Sequence, residues 1–343
     1  MTNIKKTTMR DIAKRVNVSI NTVSLALQNS ELVHPETKAR VLEAVQELGY
    51  APNVMAQNLR RGVVHAIGVM IPDTNNFHFW DIVEGVQDEA YKNGYGVVLT
   101  NTRLNREREL ETLRGLLENR YSGVVLATTY SEQFPAEMDN LLRLGGAVVT
   151  LGRTWKGADR ISYFREDAAE MLLEHLYALG HRHIGFVLGV AKEGLAHERL
   201  VAYQNFIAER NLVPLLEKCG PTIPDSITAT KRLLSNHPRP TAIMAVNDYL
   251  ALGVYRAIGE HGLKIPDDIS VAGFDNTMIA ENLYPSLTSV DVGGWQIGSM
   301  AARLLFERIA DPKRPQQIVE MPARLFARES TAPPNIKTTQ SAD

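Results

Sequence analysis

A chain of 343 residues exceeds one ordinary domain and suits a small unit joined to a larger, composite one. With 44% hydrophobic and 22% charged residues it can build substantial cores, and its longest apolar stretches, such as 66–71, are strand-sized, which excludes a membrane-spanning helix. The net charge of −2 hides an asymmetry: residues 1–62 carry nine Lys/Arg against five Asp/Glu, a basic head on an acidic body, which points to a polyanion at that end.

The first residues have no apolar run ahead of a small-residue cleavage site, so no secretion signal is expected. One cysteine, Cys219, excludes an internal disulfide framework, and the expected compartment is the reducing cytoplasm. Thr8-Met9-Arg10-Asp11 has the form of a capping box, and Ile12, Ala13 and Val16 follow at helical spacing until Asn17-Val18 breaks the run. Ser19 can cap a second helix with Val23, Ala26 and Leu27 on its inner face. Pro35 suits the first position of a third helix, whose stripe is Val41, Leu42, Val45 and Leu48 and whose stop is Gly49. Two short helices on a tight turn, backed by a third, form the helix-turn-helix plan, in which the second helix lies in the major groove of DNA. A generic three-helix bundle fits the same pattern.

From residue 64 apolar, β-branched runs alternate with helical patterns. The runs fall at 66–71, 97–100, 124–127, 148–151, 184–188, 243–246 and 271–274. Helices are expected near 80–93, 106–119, 167–179, 198–210, 228–235, 249–261 and 295–310. Such alternation predicts an α/β body of parallel sheets with helices on both faces, long enough for two lobes. Ligands in this class sit beyond the carboxyl ends of strands. His78, Phe79 and Trp80 follow the first strand, Asn247 and Asp248 the run at 243–246, and Asp275 the run at 271–274. Asp248 also reads as the cap of the helix at 249–261, and Asp275-Asn276 as a turn. His181-Arg182-His183 has metal-like spacing but, after Gly180, reads as a passage from helix to strand. No metal or cofactor is expected. No dinucleotide fingerprint, phosphate loop, zinc-protease motif or nucleophile elbow occurs, so an enzyme is not expected.

The stretch from Met9 to Ser24, MRDIAKRVNVSINTVS, followed by LGYAPNVMAQNLR from Leu48 to Arg60, closely resembles the head and hinge of the lactose/galactose repressor family, and the likeness continues to about residue 331. The resemblance implies a small all-α helix-turn-helix head at 1–52, a hinge helix and linker at 53–63, and a two-lobed body like a periplasmic binding protein at 64–331. The N-lobe would take about 64–162 and 292–323, and the C-lobe about 163–291 and 324–331. A polar tail at 332–343 is expected to be disordered, and without leucine heptads it gives no reason to expect a tetramer.

By the same resemblance Ile20, Asn21 and Leu25 read bases. Asn21 can pair with adenine, and the two apolar side chains can meet thymine methyls. Ser19, Thr22, Ser24 and the backbone at Asn29 hold phosphates. In the hinge Asn53 is a cap, Ala56 a contact, Leu59 the wedge that opens a central base step from the minor groove, and Arg60 its neighbour there. In the body Phe79 matches an aromatic against the effector and Arg199 an arginine that grips a ligand oxygen. With His78, Asn247 and Asp275 these are the chemistry of a hydroxyl-rich ligand. Three departures stand out: many members carry a polar or basic residue at Leu25 and Asp-Asn at Tyr163-Phe164, and Glu193 and Leu195 replace polar contacts of a purine-sensing relative.

The expected partners are therefore a pseudo-palindromic double-stranded operator, a small-molecule effector of carbohydrate type, and a second copy of the chain. Apolar stripes near 80–93 and 295–310 are the expected dimer face. Repression is expected over activation, because a dimer that kinks DNA competes with polymerase. The rivals, a two-lobed sugar-binding transport protein or a sugar-active enzyme, leave residues 1–60 unexplained.

Overall fold

Three short helices make the first unit of the computed structural model, which describes residues 7–27, 29–50, 64–119, 121–130, 133–143, 146–163, 166–189 and 195–335. By contact the chain divides at residue 64 into this unit and a larger one. Helices α1 (Met9–Val16), α2 (Ile20–Leu27) and α3 (Pro35–Glu47) bury Ile12, Val16, Val23, Ala26, Val33, Val41 and Ala44 in one miniature core. The Asp11 carboxylate accepts from the Thr8 amide at 2.9 Å and from its hydroxyl at 2.6 Å, which fixes the start of α1. Asn17, at φ 57°, closes it in the left-handed conformation that asparagine tolerates. Two expectations need correction here. Leu42 is exposed and Ala44 takes its place, because positions 41, 44, 45 and 48 share a face at 3.6 residues per turn. Leu27 is only partly buried.

The second unit holds two six-stranded sheets. The first has the order β11-β5-β4-β3-β1-β2, from β1 (Val64–Ile71), β2 (Gly96–Asn101), β3 (Tyr121–Leu126), β4 (Ala147–Leu151), β5 (Asp159–Ser162) and β11 (Ile318–Glu320). The second runs β12-β10-β9-β8-β6-β7, from β6 (Ile184–Leu188), β7 (Leu215–Lys218), β8 (Ala242–Ala245), β9 (Ser270–Phe274), β10 (Thr288–Asp291) and β12 (Arg324–Phe326). Strand β12 is antiparallel to β10, whereas β4 with β5 and β8 with β9 pair parallel. The chain crosses between the sheets after β5, after β10 and between β11 and β12.

Each sheet is covered on both faces, so its central strands are apolar throughout rather than alternating; β4, β6 and β9 are buried along their whole length. On the first sheet α4 (Phe77–Lys92) and α12 (Gly294–Ala310) cover one face, and α5 (Arg106–Glu118) and α6 (Pro135–Arg143) the other. On the second, α7 (Glu166–Ala178) and α8 (Leu195–Glu209) lie opposite α9 (Ile223–Leu234), α10 (Asp248–Glu260) and the short α11 (Met278–Asn282).

Helices α4 and α12 pack backbone to backbone. A Cβ on Gly298 would sit 1.9 Å from the Ile82 carbonyl oxygen, and one on Gly85 2.1 Å from that of Trp295. Their apolar stripes, Ile82, Val83 and Val86 on one and Ile297, Ala301 and Leu305 on the other, are buried within this chain. These stripes are therefore core, a correction to their expected place on a dimer face; Trp80 and Trp295 keep 39% exposure each.

The chain stays paired to the second sheet as far as Ala332, inside the span expected to be a disordered tail. The Ala332 amide donates to Ser270 Oγ and its carbonyl accepts from the same hydroxyl, both at 3.0 Å, so the backbone is paired at 332. His181 joins this seam, its ring 2.9 Å from both Thr241 Oγ1 and the Ala332 carbonyl, a structural role. No described helix is long and apolar enough to cross a membrane.

Candidate functional site

The first helix-turn-helix element presents its polar residues at the start of α2. Ser19 Oγ accepts the Thr22 amide at 3.0 Å, so it caps the helix while its side chain stays exposed. Asn21 is exposed, one position into the helix. Ile20 and Leu25 are half-buried and lean on the head core, so only part of each is offered to solvent. Thr22 and Ser24 are also partly exposed. Asn29 is in the left-handed conformation at φ 59°, and its carbonyl oxygen Oδ1 accepts from Lys38 Nζ. Asn53, Ala56, Leu59 and Arg60 lie outside the described residues.

In the second unit a cleft of about 900 Å³, counting its open mouth, lies between the carboxyl ends of the two sheets. Phe79, Arg199, Asn247 and Asp275 all line it. Two buried charges anchor its floor. Arg199, from α8, donates from Nη2 to Asp275 Oδ1 at 3.0 Å and from Nη1 to the Val246 carbonyl, and its guanidinium lies 4.2 Å over the Phe274 ring. Asp275, just past β9, sits at φ +93°, a strained value for a side-chain-bearing residue that turns the carboxylate into the cleft. Burial opposes its charge, but the Arg199 guanidinium and the Asn76 amide together hold its carboxyl below the ordinary range. From the other sheet Asn76 Nδ2 donates to Asp275 Oδ2 at 3.2 Å, a direct bridge across the cleft.

Two asparagines thus play double roles. Asn76 caps α4 by accepting the His78 amide at 3.1 Å, and Asn247 caps α10 by accepting the Leu250 amide at 2.8 Å. The cap of α10 is therefore Asn247 and not Asp248. Asp248 is fully buried behind Asp275, where its Oδ2 accepts the Thr277 amide at 2.7 Å and Oδ1 accepts the Ser289 hydroxyl at 2.7 Å. Burial and the neighbouring Asp275 carboxylate push its carboxyl up to about 8.

His78 does not reach the cleft, against expectation. It is fully buried, its ring 5.4 Å from Phe79 and 5.7 Å from Tyr163, so it backs the aromatic wall. Among the described residues neither ring nitrogen has a hydrogen-bond partner, and burial lowers its basicity, so the imidazole is neutral at pH 7. Trp80 points away to a carbonyl, donating Nε1 to Thr74 at 2.9 Å.

Sequence reasoning missed Asn76, Thr128, Thr129 and Tyr249 in the lining, and treated Tyr163 only as a departure. For Asn76 a signal existed: an asparagine directly before a helical run is a capping residue, and a cap at a strand's carboxyl end faces the ligand crevice. Glu109 is a further hidden contributor. Fully buried on α5, it accepts the Thr129 and Tyr130 amides at 3.0 and 2.8 Å and so fixes the cleft loop after β3. Phe164 and Glu193 lie outside the described residues, as does the side chain of Leu195. Among the described residues no cluster of three metal-ligating side chains occurs.

Chemically, the floor offers a carboxylate acceptor, a guanidinium donor and two amides, and the walls offer the faces of Phe79, Tyr163 and Tyr249. Paired donors and acceptors meet hydroxyl groups, while rings cover C–H surface.

A family model described as bacterial regulatory proteins, lacI family, matches residues 8–53, and one for a periplasmic binding protein-like domain matches 173–331. The HTH-type transcriptional repressor PurR of Vibrio campbellii is 31% identical over 94% of this chain and 98% of its own. Among solved structures, the lac repressor dimer bound to operator and the anti-inducer ONPF aligns with a TM-score of 0.80 at 27% identity, over 96% of this chain and all of that one. A LacI family transcriptional regulator from Enterococcus faecium with bound ribose aligns with a TM-score of 0.71 at 27% identity, over 78% of this chain and 99% of its own.

Proposed function

The chain belongs to the lacI family of bacterial regulatory proteins, DNA-binding transcription regulators, and from that premise we propose that it is a repressor whose grip on operator DNA is set by a carbohydrate bound between the lobes of its body. The observation that carries the effector reading is the Arg199–Asp275 pair at the cleft floor, bridged to the opposite sheet by Asn76 and walled by Phe79. Such a floor satisfies the alternating donors and acceptors of sugar hydroxyls without leaving a charge stranded. The ribose-bound relative supports the ligand class, and the repressor dimer on its operator supports a homodimer on a pseudo-palindrome.

At the DNA, Asn21 reads a base edge, with Ile20 and Leu25 against methyl groups. Ser19, Thr22, Ser24 and the backbone at Asn29 take phosphates. Asn53, Ala56, Leu59 and Arg60 make the minor-groove hinge. The protein works in the cytoplasm, binds its effector and does not transform it. Two measurements test this together. Sequencing duplexes selected from a random library by the purified chain should return a pseudo-palindrome, and a sugar panel should then change affinity for that duplex. Selection of no symmetric site, with and without sugars, overturns the operator reading; a symmetric site indifferent to every sugar overturns the carbohydrate reading.

A further inference from the structure

Family membership leaves open whether the ligand carries charge, and the cleft's own charges bear on it. Its one guanidinium among the described lining residues, Arg199, is already committed to the Asp275 carboxylate at 3.0 Å and to the Val246 carbonyl. A second carboxylate, Asp73, also lines the cleft, so the described lining is acidic by one charge.

Among the described residues the helix N-termini at the cleft already have part of their donor capacity taken. A helix N-terminus binds phosphate through its unpaired amides. Here α4 and α10 both begin at the cleft, and each has an asparagine oxygen on an amide of its first turn, Asn76 on His78 and Asn247 on Leu250. A buried anion unmatched by a cation is costly, and more so beside carboxylates of its own sign.

We propose that this cleft takes an uncharged polyhydroxyl ligand and rejects its phosphorylated or carboxylated forms, with Asp275 as the discriminating residue that neutralises Arg199. This rests on the carbohydrate reading above and narrows it. Hydroxyl groups slot into an existing ion pair as donor to Asp275 and acceptor from Arg199, and neither charge has to be uncovered. A phosphate must instead displace Asp275 from the guanidinium and strand its carboxylate.

Thermal unfolding of the full chain in low-salt buffer tests this with matched probes: ribose against ribose 5-phosphate, glucose against glucose 6-phosphate, and inorganic phosphate alone. In the wild type, where a neutral sugar binds, its phosphate ester should bind at least tenfold more weakly. Inorganic phosphate should give no rise in Tm that Arg199→Ala removes. Asp275→Asn should gain a phosphate-dependent rise in Tm, lost again in the Asp275→Asn, Arg199→Ala double variant. A sugar phosphate that binds the wild type as tightly as its parent overturns the proposal, as does a folded Asp275→Asn that gains nothing. If that variant does not fold by circular dichroism, the wild type with inorganic phosphate decides: stabilisation that depends on Arg199 overturns anion exclusion, and its absence supports it. Neutral sugars without effect, beside a phosphate gain in Asp275→Asn, overturn the carbohydrate reading and leave anion exclusion standing.

Discussion

Asp248 shows how a residue buried behind the cleft can set the behaviour of one that lines it. Its carboxyl is fully buried, receives the Thr277 and Ser289 donors, and lies near the ionised Asp275. Two carboxylates cannot share such a site cheaply as anions, so Asp275 keeps the charge and Asp248 keeps the proton, its carboxyl pushed up to about 8. In the unfolded chain Asp248 returns toward 3.8. Between those values the folded state holds a proton that the unfolded state has released. Its stability contribution therefore falls as pH rises, by at most about 1.4 kcal/mol per pH unit, and the loss levels off above about pH 8. His78 acts the other way. Its basicity is lowered by burial, so the unfolded state takes up the extra proton and stability falls as pH drops below 6.5. Comparing the wild type with Asp248→Asn removes that second effect. Denaturant unfolding at pH 5, 6, 7 and 8 should show the wild type losing stability relative to the variant as pH rises. Parallel profiles would mean that Asp248 ionises normally in the fold.

At the scale of elements, the crossing of α4 over α12 is set by glycine. Gly298 lets the Ile82 carbonyl approach to a point 1.9 Å from where a Cβ would stand, and the contact is with backbone, which cannot swing aside as a side chain can. Gly298→Ala should cost roughly 1–3 kcal/mol, despite alanine's better helix propensity, because the helices must part and their buried stripes with them. A chemical denaturation midpoint equal to that of the wild type would show that the two helices do not approach so closely. Such a crossing is invisible in sequence, where a glycine inside a helical run signals only lower helix propensity. What was legible follows from period and punctuation. The central strands appear as apolar runs because both faces of each sheet are covered, and most helices of the body appear within a few residues of their bounds. The short edge strands β7, β11 and β12 were missed, because a strand with one neighbour and a wet face carries little apolar signal, and so were the inner strands β5 and β10, whose four residues each include only one apolar side chain, Ile161 and Val290. Helix α6 was missed as well, its nine residues holding only Met138 and Leu141 in the core. In the site, strand-end position located Asn247 and Asp275, and family resemblance was needed for Arg199 and Phe79. Strand-end position also put forward His78, which is not among the cleft-lining residues, because adjacent positions on a helix differ by 100° and Phe79 is the one that lines the cleft.

At the scale of the whole molecule, the cleft and helix α2 belong to different units, so any control of the proposed DNA contact by the proposed effector is a coupling free energy between two binding equilibria. The effector can shift affinity for DNA only as far as it distinguishes the two states of the body. The lobes are joined across the cleft by the Asn76–Asp275 hydrogen bond, whose acceptor is also the partner of Arg199. A ligand that engages this triad competes with, or completes, the contacts that hold the lobes together, and so has a direct means of favouring one state. Thermodynamic reciprocity makes the claim quantitative. If the saturating sugar changes operator affinity by some factor, expected at roughly 5–150-fold, saturating operator must change sugar affinity by the same factor in the same direction. Titrations of each ligand in the presence and absence of the other should return equal factors, and Arg199→Ala should bring both to one while leaving operator affinity without sugar as it was. Unequal factors would reveal a linked equilibrium beyond these two sites, such as a change in assembly. A variant that also loses operator binding without sugar would mean that the Arg199–Asp275 pair holds the DNA-competent state itself, and that the ligand acts by replacing that pair's contacts rather than by adding to them.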